Sequence, residues 1–251
     1  MSRSIFAPLF AFTVLFLAVS FPVQAQEDLV RPEGWQVRFD NPEASEDDLE
    51  MFVSMPPGWH VTSGPAAIYW GPEMEASGEY RIEMEVYLFD PAGRKEAFGI
   101  FVGGTDLTGD AVEYTYFLLR DGGEFIVKRR EGPEAPTIHP WTGHEAILGW
   151  ADREEEAATV KNVLAIEAGA ETVHFFVNDA EVAALPRADL GMDGVFGMRV
   201  NHALNLHISR LETVAMGGEE EEGHDQDEGA DHGEEHDGGE EGNHDEEEDH
   251  D

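Results

Sequence analysis

The residues best spaced for chemistry are charged side chains that alternate along one short segment. Every second position from 79 to 85 is charged, as Glu79, Arg81, Glu83 and Glu85. In a β-strand this spacing places all four side chains on one face. Retaining glycoside hydrolysis uses two carboxyl groups about 5–5.5 Å apart, so Glu79, Arg81 and Glu83 are candidate catalytic residues.

The same segment also fits a strand face that is exposed to solvent and crossed by ion pairs. Arg81 stands between Glu79 and Glu83 in the sequence. A cation at this position favours the ionised form of both carboxylates, whereas a general acid must carry a proton. Catalysis and a salt-bridged surface therefore stay open as alternatives.

A second group of candidates has the residue types of a sugar-binding surface. Such surfaces place flat aromatic rings beside a few polar groups. Tryptophans occur in segments predicted to be loops or strand ends, and polar residues alternate along the last predicted strand. The predicted ligand-binding residues are Trp59, Trp70, Trp141, Trp150, Asn205 and His207. The alternative is that the tryptophans close the ends of the fold and that the polar stripe faces solvent.

The third candidate site is the C-terminal segment 217–251. It contains 19 of the 54 acidic residues, no Lys or Arg, and five histidines. Imidazole and carboxylate groups bind zinc, copper or nickel. The predicted metal ligands are His224, His232, His236, His244 and His250. Their loose spacing predicts several weak sites for zinc or another divalent metal, and the fold itself needs no cofactor. The alternative is an acidic tail that only promotes solubility.

Composition excludes several classes of protein. The chain of 251 residues has no cysteine and a formal net charge of −39. The absence of cysteine excludes disulfide scaffolds, thiolate zinc sites and cysteine nucleophiles. The acidic excess argues against binding to nucleic acid or anionic membranes, which depends on Lys and Arg. Residues 217–251 have almost nothing to bury and are predicted to be disordered.

The N-terminus has the pattern of a secretory signal. Arg3 precedes an apolar run from Ile5 to Val19, and Val23 and Ala25 suit a cleavage site after Ala25. Residues 1–25 are therefore a predicted signal peptide, and the mature protein is expected in the periplasm or outside the cell, with no membrane insertion after cleavage. The alternative is an uncleaved anchor, for which the run is short compared with the roughly 20 residues of a span.

The period of the apolar residues between 26 and 216 is two, which predicts strands with one buried face. Short turns such as Asp121-Gly122-Gly123 and Asn178-Asp179 separate them. Strands are predicted at 79–90, 96–102, 111–119, 124–130, 158–168, 171–177, 194–200 and 203–211, and the chain is predicted to return through Val182 after the Asn178-Asp179 turn. Residues 40–50 are predicted to form a short acidic helix or a loop. The absence of long helical periodicity favours an all-β, antiparallel β-sandwich over residues 26–216.

Three segments follow one another in the last third of the chain: VHFFVNDAEVAALP, GVFGMRV and LNLHISRL. Two segments precede them: PPGW at 56–59 and the strand EYRIEMEVYLF. This order of segments resembles the concanavalin A-like lectin/glucanase jelly roll. Within that superfamily the chain looks most like the laminin-G-like and 3-keto-disaccharide-hydrolase-like domains of bacterial secreted proteins. In jelly-roll glucanases a Glu-x-Asp-x-Glu strand supplies the catalytic acids. Here the corresponding string has Arg81 at its centre.

The sequence therefore predicts an exported module that binds carbohydrate or cell-envelope glycan through a jelly-roll β-sandwich, with metal binding by its tail. One alternative is a glycoside hydrolase that acts through Glu79 and Glu83. Another is a periplasmic metal-buffering protein in which the tail is the functional part. The resemblance to glucanases leaves catalysis open, although binding is favoured over it.

Overall fold

Two antiparallel β-sheets form the fold. The computed structural model describes residues 30–216, so the predicted signal peptide 1–25 and tail 217–251 lie outside the described residues. In this part of the chain, no helix is both long and apolar enough to cross a membrane. The helical segments in it are three single 3₁₀ turns, Glu46–Asp48, Trp150–Asp152 and Arg187–Asp189.

Fifteen strands follow one another in the described chain, numbered in chain order. They are β1 (Gln36–Phe39), β2 (Met51–Ser54), β3 (Trp59–Thr62), β4 (Ala67–Trp70), β5 (Glu75–Ala76), β6 (Tyr80–Leu88), β7 (Ala97–Thr105), β8 (Glu113–Arg120), β9 (Glu124–Glu131), β10 (Thr137–Gly143), β11 (Val160–Ala168), β12 (Thr172–Val177), β13 (Ala180–Pro186), β14 (Gly194–Val200) and β15 (Asn205–Val214).

The strand order interleaves early and late parts of the chain. The eight-stranded sheet has the order β1-β4-β14-β7-β8-β9-β10, with β5 paired to β14. The seven-stranded sheet has the order β13-β12-β11-β6-β15-β3-β2. The all-β antiparallel sandwich predicted from the sequence is therefore confirmed.

Each predicted strand segment forms a strand, and the alternation of β6 is clear. Its residues alternate between buried and half-buried from Tyr80 to Leu88. The turn between β12 and β13 uses Asn178 and Asp179, both at positive φ, as a two-residue hairpin requires. Within 40–50, residues Glu46–Asp48 form a single 3₁₀ turn.

The short strands β1 to β5 and the strand β10 were not predicted. Strands β1 to β4 have four residues each and β5 has two, which leaves little room for an alternating pattern to show. Strand β10 contains Pro140 and its pairing with β9 has register shifts. The segment around Trp141 was predicted to be a loop or a strand end, whereas Trp141 lies within β10.

The main core lies between the two sheets. Phe117 on β8 and Phe175 on β12 belong to different sheets, and their ring centroids are 5.2 Å apart. Phe125 on β9 packs against Phe117 at 5.9 Å. All three side chains are fully buried. These aromatic contacts join the sheets directly.

A second apolar cluster covers the outer face of the eight-stranded sheet, which is the face turned away from the other sheet. Tyr114, Tyr116 and Leu118 alternate along β8 with residues of the main core and are nevertheless buried. Phe101 on β7 joins them, with its centroid 5.4 Å from that of Tyr114. Both faces of this sheet are therefore buried near its centre.

We expect neighbouring phenylalanines on β12 to differ sharply in their effect on stability. Phe175→Ala opens a cavity between the sheets and should lower the free energy of unfolding by about 3–5 kcal/mol. Phe176→Ala, on the opposite face, loses mainly a contact with the Arg81 guanidinium and should cost about 1 kcal/mol. Urea denaturation followed by tryptophan fluorescence measures both. Equal losses would contradict the placement of Phe175 between the sheets.

Candidate functional site: a polar cleft on the eight-stranded sheet

A cavity lies on the outer face of the eight-stranded sheet. It has a volume of about 670 Å³, within the roughly 300–1,000 Å³ of typical ligand sites. We call it the cleft. Its polar lining consists of Arg38, Asp40, Asn41, Thr108, Asp110 and Arg130. Trp70 and Leu107 supply apolar surface, and both also line a smaller adjoining cavity.

Asp40, which lines the cleft, forms an ion pair with Arg199 on β14. Both guanidinium Nη atoms of Arg199 donate to the two carboxylate oxygens of Asp40, so the pair is bidentate. Arg199 also donates to the Tyr114 hydroxyl at 3.0 Å, and its guanidinium carbon lies 4.9 Å from the centre of the Tyr116 ring. The Arg199 side chain is 7% exposed and that of Asp40 is 33% exposed.

The partners of Arg199 lie on both sides of its strand. Arg199 on β14 stands opposite Gly99 on β7, and Tyr116 is on β8, one strand further. Asp40 follows β1, which lies on the other side of β14. A Cβ at position 99 would lie 2.1 Å from the carbonyl oxygen of Phe117, so this position requires glycine.

The electrostatics of the pair keep Asp40 ionised. Burial acts to raise the pKa of Asp40, but its hydrogen bond to Arg199 and the charges of Arg199 and Arg130 outweigh this and lower the pKa. Burial raises the pKa of Tyr114 and of Tyr116. Both hydroxyls therefore stay protonated at neutral pH.

Two further arginines fix the walls of the cleft. Arg38 on β1 donates from Nη1 to the carbonyl oxygens of Leu107 and Gly109, at 2.9 and 2.7 Å. These bonds hold the loop between β7 and β8 against β1. Arg130 on β9 donates from Nε to the carbonyl oxygen of Gly132. The walls thus come from three segments that are far apart in the sequence.

Of the four tryptophans predicted to bind a ligand, Trp70 lines the cleft. It is 6% exposed, so most of its ring packs in the second cluster and a ligand would meet its edge. Trp141 lies on the same outer face, on β10, and is not among the residues that line the cleft. The Arg120 guanidinium covers its ring at 4.0 Å.

The other two predicted tryptophans pack at the edge of the main core. Trp59 begins β3, and its ring centroid lies 4.6 Å from that of Trp35. Trp150 lies in a 3₁₀ turn with the Arg153 guanidinium 4.1 Å from its ring. The structure therefore does not bring the four tryptophans together.

Asn205 and His207 lie on β15, on the outer face of the seven-stranded sheet. His207 lines a second cavity of about 320 Å³ with Glu85 and Tyr87. Hydrogen bonds from Ser209, Lys161 and Tyr87, of which that from Ser209 has the largest effect, lower the pKa of Glu85 to about 2.

Next to this cavity, two buried polar atoms have no hydrogen-bond partner among the described residues. They are Nδ1 of His207 and Oδ1 of Asn205, and Nδ1 of the adjacent His60 is a third such atom. The neighbouring His60 is buried as well, and burial lowers its pKa. These groups form a second polar site, smaller than the cleft and on the opposite side of the sandwich.

The candidate catalytic residues also lie on the seven-stranded sheet. Glu79 is exposed and precedes β6. Glu83 accepts from Arg81 at 3.0 Å through one carboxylate oxygen and from Arg210 at 2.9 Å through the other. Arg81 also pairs with Glu167 at 3.1 Å. Arg81 and Glu83 thus belong to a ladder of ion pairs across β11, β6 and β15.

The predicted metal ligands His224, His232, His236, His244 and His250 lie outside the described residues. Between residues 30 and 216, no group of three or more His, Asp or Glu side chains is arranged to hold a metal ion. Metal binding by the tail stays a prediction.

Comparisons with known proteins identify the fold of the chain. No protein-family model matches the chain, and no curated protein matches it significantly. Among solved structures, it is similar to the carbohydrate-binding module CBM66 from Bacillus subtilis, with a TM-score of 0.51 and 12% identity over 72% of this chain and 96% of that chain.

Two glycoside hydrolase family 16 proteins from Bacteroides ovatus are similar to the same extent. A mixed-linkage glucan enzyme in complex with its G4G4G3G product has a TM-score of 0.52 and 7% identity, and an endo-glucanase in complex with G4G3G-2F-DNP has 0.52 and 8%. Each match covers 74% of this chain and 97% of the other. The concanavalin A-like jelly-roll fold predicted from the sequence is confirmed. The finer resemblance to laminin-G-like domains stays a prediction.

No sequence motif marks the charged residues of the cleft. Arg38, Asp40 and Arg130 lie in three separate segments, and no local spacing connects them. One signal was present in the sequence: Arg199 interrupts GVFGMRV, a segment otherwise without charge that becomes β14. A charge in a buried strand needs a partner of opposite charge, and this requirement points to a polar site on that strand.

We expect removal of the Asp40 carboxylate to destabilise the protein. Asp40→Asn leaves the Arg199 charge without a counterion and should lower the free energy of unfolding by about 2–3 kcal/mol at neutral pH. The loss should be smaller than for a fully buried pair because water still reaches Asp40. Asp193→Asn is the matched control, because Asp193 pairs with Arg187 but is 62% exposed. The control should cost at most about 1 kcal/mol.

The difference between the wild type and Asp40→Asn should depend on pH. The folded-state pKa of Asp40 is lowered, so its stabilisation is complete above its unfolded pKa and is lost as the pH falls through the folded value. Chemical denaturation should therefore show the difference shrinking below about pH 4. A difference that stays constant on acidification would contradict this account.

Proposed function

We propose that the protein binds carbohydrate in the cleft on the eight-stranded sheet. The observation that carries this proposal is the polar lining of a cavity of about 670 Å³ built on a rigid sheet. Proteins with the same fold include a carbohydrate-binding module and enzymes described in complex with oligosaccharides. That likeness supports the proposal without assigning a ligand.

The lining suits sugars because it contains both donors and acceptors. Sugar hydroxyl groups donate and accept hydrogen bonds, so a site that recognises them needs both kinds of partner. Arg38 and Arg130 donate, Asp110 accepts, and the Thr108 hydroxyl does both. Trp70 adds an apolar edge beside them. The cleft therefore matches the mixed polar and apolar surface of a sugar ring.

Binding is favoured over glycoside hydrolysis. Glu83 is held through both carboxylate oxygens by Arg81 and Arg210. A general acid needs a carboxylate oxygen free to give a proton to the glycosidic oxygen, and both oxygens of Glu83 are occupied by guanidinium donors. The cleft lies on the other sheet from these residues.

Export of the mature protein to the periplasm or beyond, where envelope glycans are found, belongs to the same proposal.

We expect substitutions at exposed positions of the cleft to weaken glycan binding without affecting the fold. Thr108→Val and Asp110→Ala each remove hydrogen-bonding capacity and should raise the Kd about 3–10-fold. Thr137→Val, at an exposed position on β10 of the same sheet, is the matched control and should leave the Kd unchanged. A glycan array selects the ligand, and calorimetry measures the affinities. The absence of any glycan ligand would overturn the proposed function.

The tail is a second proposed binding site, for zinc or a related divalent metal. Its support is the set of five histidines among carboxylates in 217–251. Calorimetric titration of the full chain with zinc should show several weak sites. Replacement of all five histidines by glutamine keeps the acidic charge and should abolish most of the heat. Equal heats from both proteins would mean that the tail binds no metal through histidine.

A further inference from the structure

Two arginines of the cleft have no acidic partner in the described part of the chain. Arg81, Arg187 and Arg210 each pair with a carboxylate. By contrast, neither Arg38 nor Arg130 makes an ion pair with any carboxylate of residues 30–216, although both line the cleft.

The overall charge of the domain makes this arrangement unusual. Residues 26–216 contain 35 acidic and 14 basic residues, and seven of the eleven arginines in residues 30–216 form an ion pair with a carboxylate. Arg94 and Arg153 are also without an ion pair among the described residues. However, Arg94 lies in an exposed turn, and Arg153 rests on the Trp150 ring. Arg38 and Arg130 thus differ from them in facing a cavity.

Both guanidinium groups keep hydrogen-bonding capacity for a ligand. A guanidinium has five N–H donors in a planar fork. Arg38 uses Nη1 on two carbonyl oxygens, and Arg130 uses Nε on one. Their other N–H groups, at Nε and Nη2 of Arg38 and at Nη1 and Nη2 of Arg130, make no hydrogen bond to residues 30–216.

The carboxylates that line the cleft do not cancel these charges. Asp40 is neutralised by the bidentate bonds from Arg199, which leaves Asp110 as the one acidic side chain of the lining without a paired arginine there. Asp110 is exposed. With Arg199 and Asp40 counted as a neutral pair, the lining carries one more positive than negative charge, in a domain that is otherwise strongly negative.

We propose that the cleft binds a glycan whose sugars carry carboxylate groups, that is, a uronic-acid-containing glycan. This inference rests on the proposed function and names its ligand class. A planar carboxylate matches the planar fork of a guanidinium in a bidentate pair. Arg38 and Arg130 bind the ligand carboxylate, while Thr108 and Asp110 bind sugar hydroxyls. The negative surface around the cleft repels anionic polymers that lack this fit.

The test compares each charged oligosaccharide with a neutral copy of itself. The probes are oligomers of galacturonate, mannuronate and glucuronate, and the same oligomers after reduction of the carboxyl group to an alcohol. Calorimetry on the full chain should show that at least one uronate oligomer binds with a Kd about tenfold or more below that of its reduced form. Added salt should narrow this difference, because it screens the charges.

Substitutions of Arg38 and Arg130 test whether these two arginines cause the difference in affinity between each uronate and its reduced form. Arg130→Gln and Arg38→Gln should bring the affinity for the uronate down to that for the reduced form. Arg130→Lys keeps the charge but loses the fork, and it should retain part of the preference. Arg210→Gln, on the other sheet, is the matched control and should bind as the wild type does. Circular dichroism checks the fold of each variant.

The outcomes separate this inference from the proposed function. If the reduced oligomers or neutral glycans bind as tightly as the uronates, the carboxylate inference is wrong and carbohydrate binding stands. If sulfated glycans bind more tightly than every uronate, the ligand class is wrong. If no glycan binds at all, the proposed function itself fails. The comparison of each uronate with its reduced form on the wild-type protein tests the inference even if Arg38→Gln disturbs the loop that Arg38 holds.

Discussion

The ion pair between Asp40 and Arg199 is the constraint on which the outer face of the eight-stranded sheet depends. A guanidinium buried among Tyr114, Tyr116 and apolar residues is costly without a counterion. Asp40 supplies that counterion from the chain that follows β1. The pair therefore ties the end of β1 to β14 and to the tyrosines of β8. Asp40 also lines the cleft, so the pair holds one residue of the lining in place.

The fold was largely predictable because its signals are local. Strand β6 alternates over nine residues, and the positive φ angles of Asn178 and Asp179 match the turn that their residue types predict. The short strands at the N-terminal end were not predictable in this way. Four residues such as those of β4, all of them buried, show no alternation, because both faces of the eight-stranded sheet are covered at that point.

The site was less predictable than the fold because it is assembled by strand order. Arg38 and Arg130 are far apart in the chain, and they line the same cleft because β1 lies at one edge of the sheet and the loop after β7 folds back to it. The tryptophans were predicted to bind a ligand from their residue type alone. Trp70 does line the cleft, whereas Arg120 and Arg153 cover the rings of Trp141 and Trp150. The chemistry of the cleft comes from arginines that no motif marks.

The measurement that tests the location of the site most directly is a titration of the isotope-labelled full chain with oligosaccharide, followed by NMR. Binding in the cleft predicts that the amide signals of Arg38, Thr108 and Arg130 shift in proportion to the fraction bound. The signals of Glu85 and His207, on the other sheet, should stay in place. Shifts confined to Glu85, His207 and their neighbours would contradict the account and would place the ligand on the seven-stranded sheet.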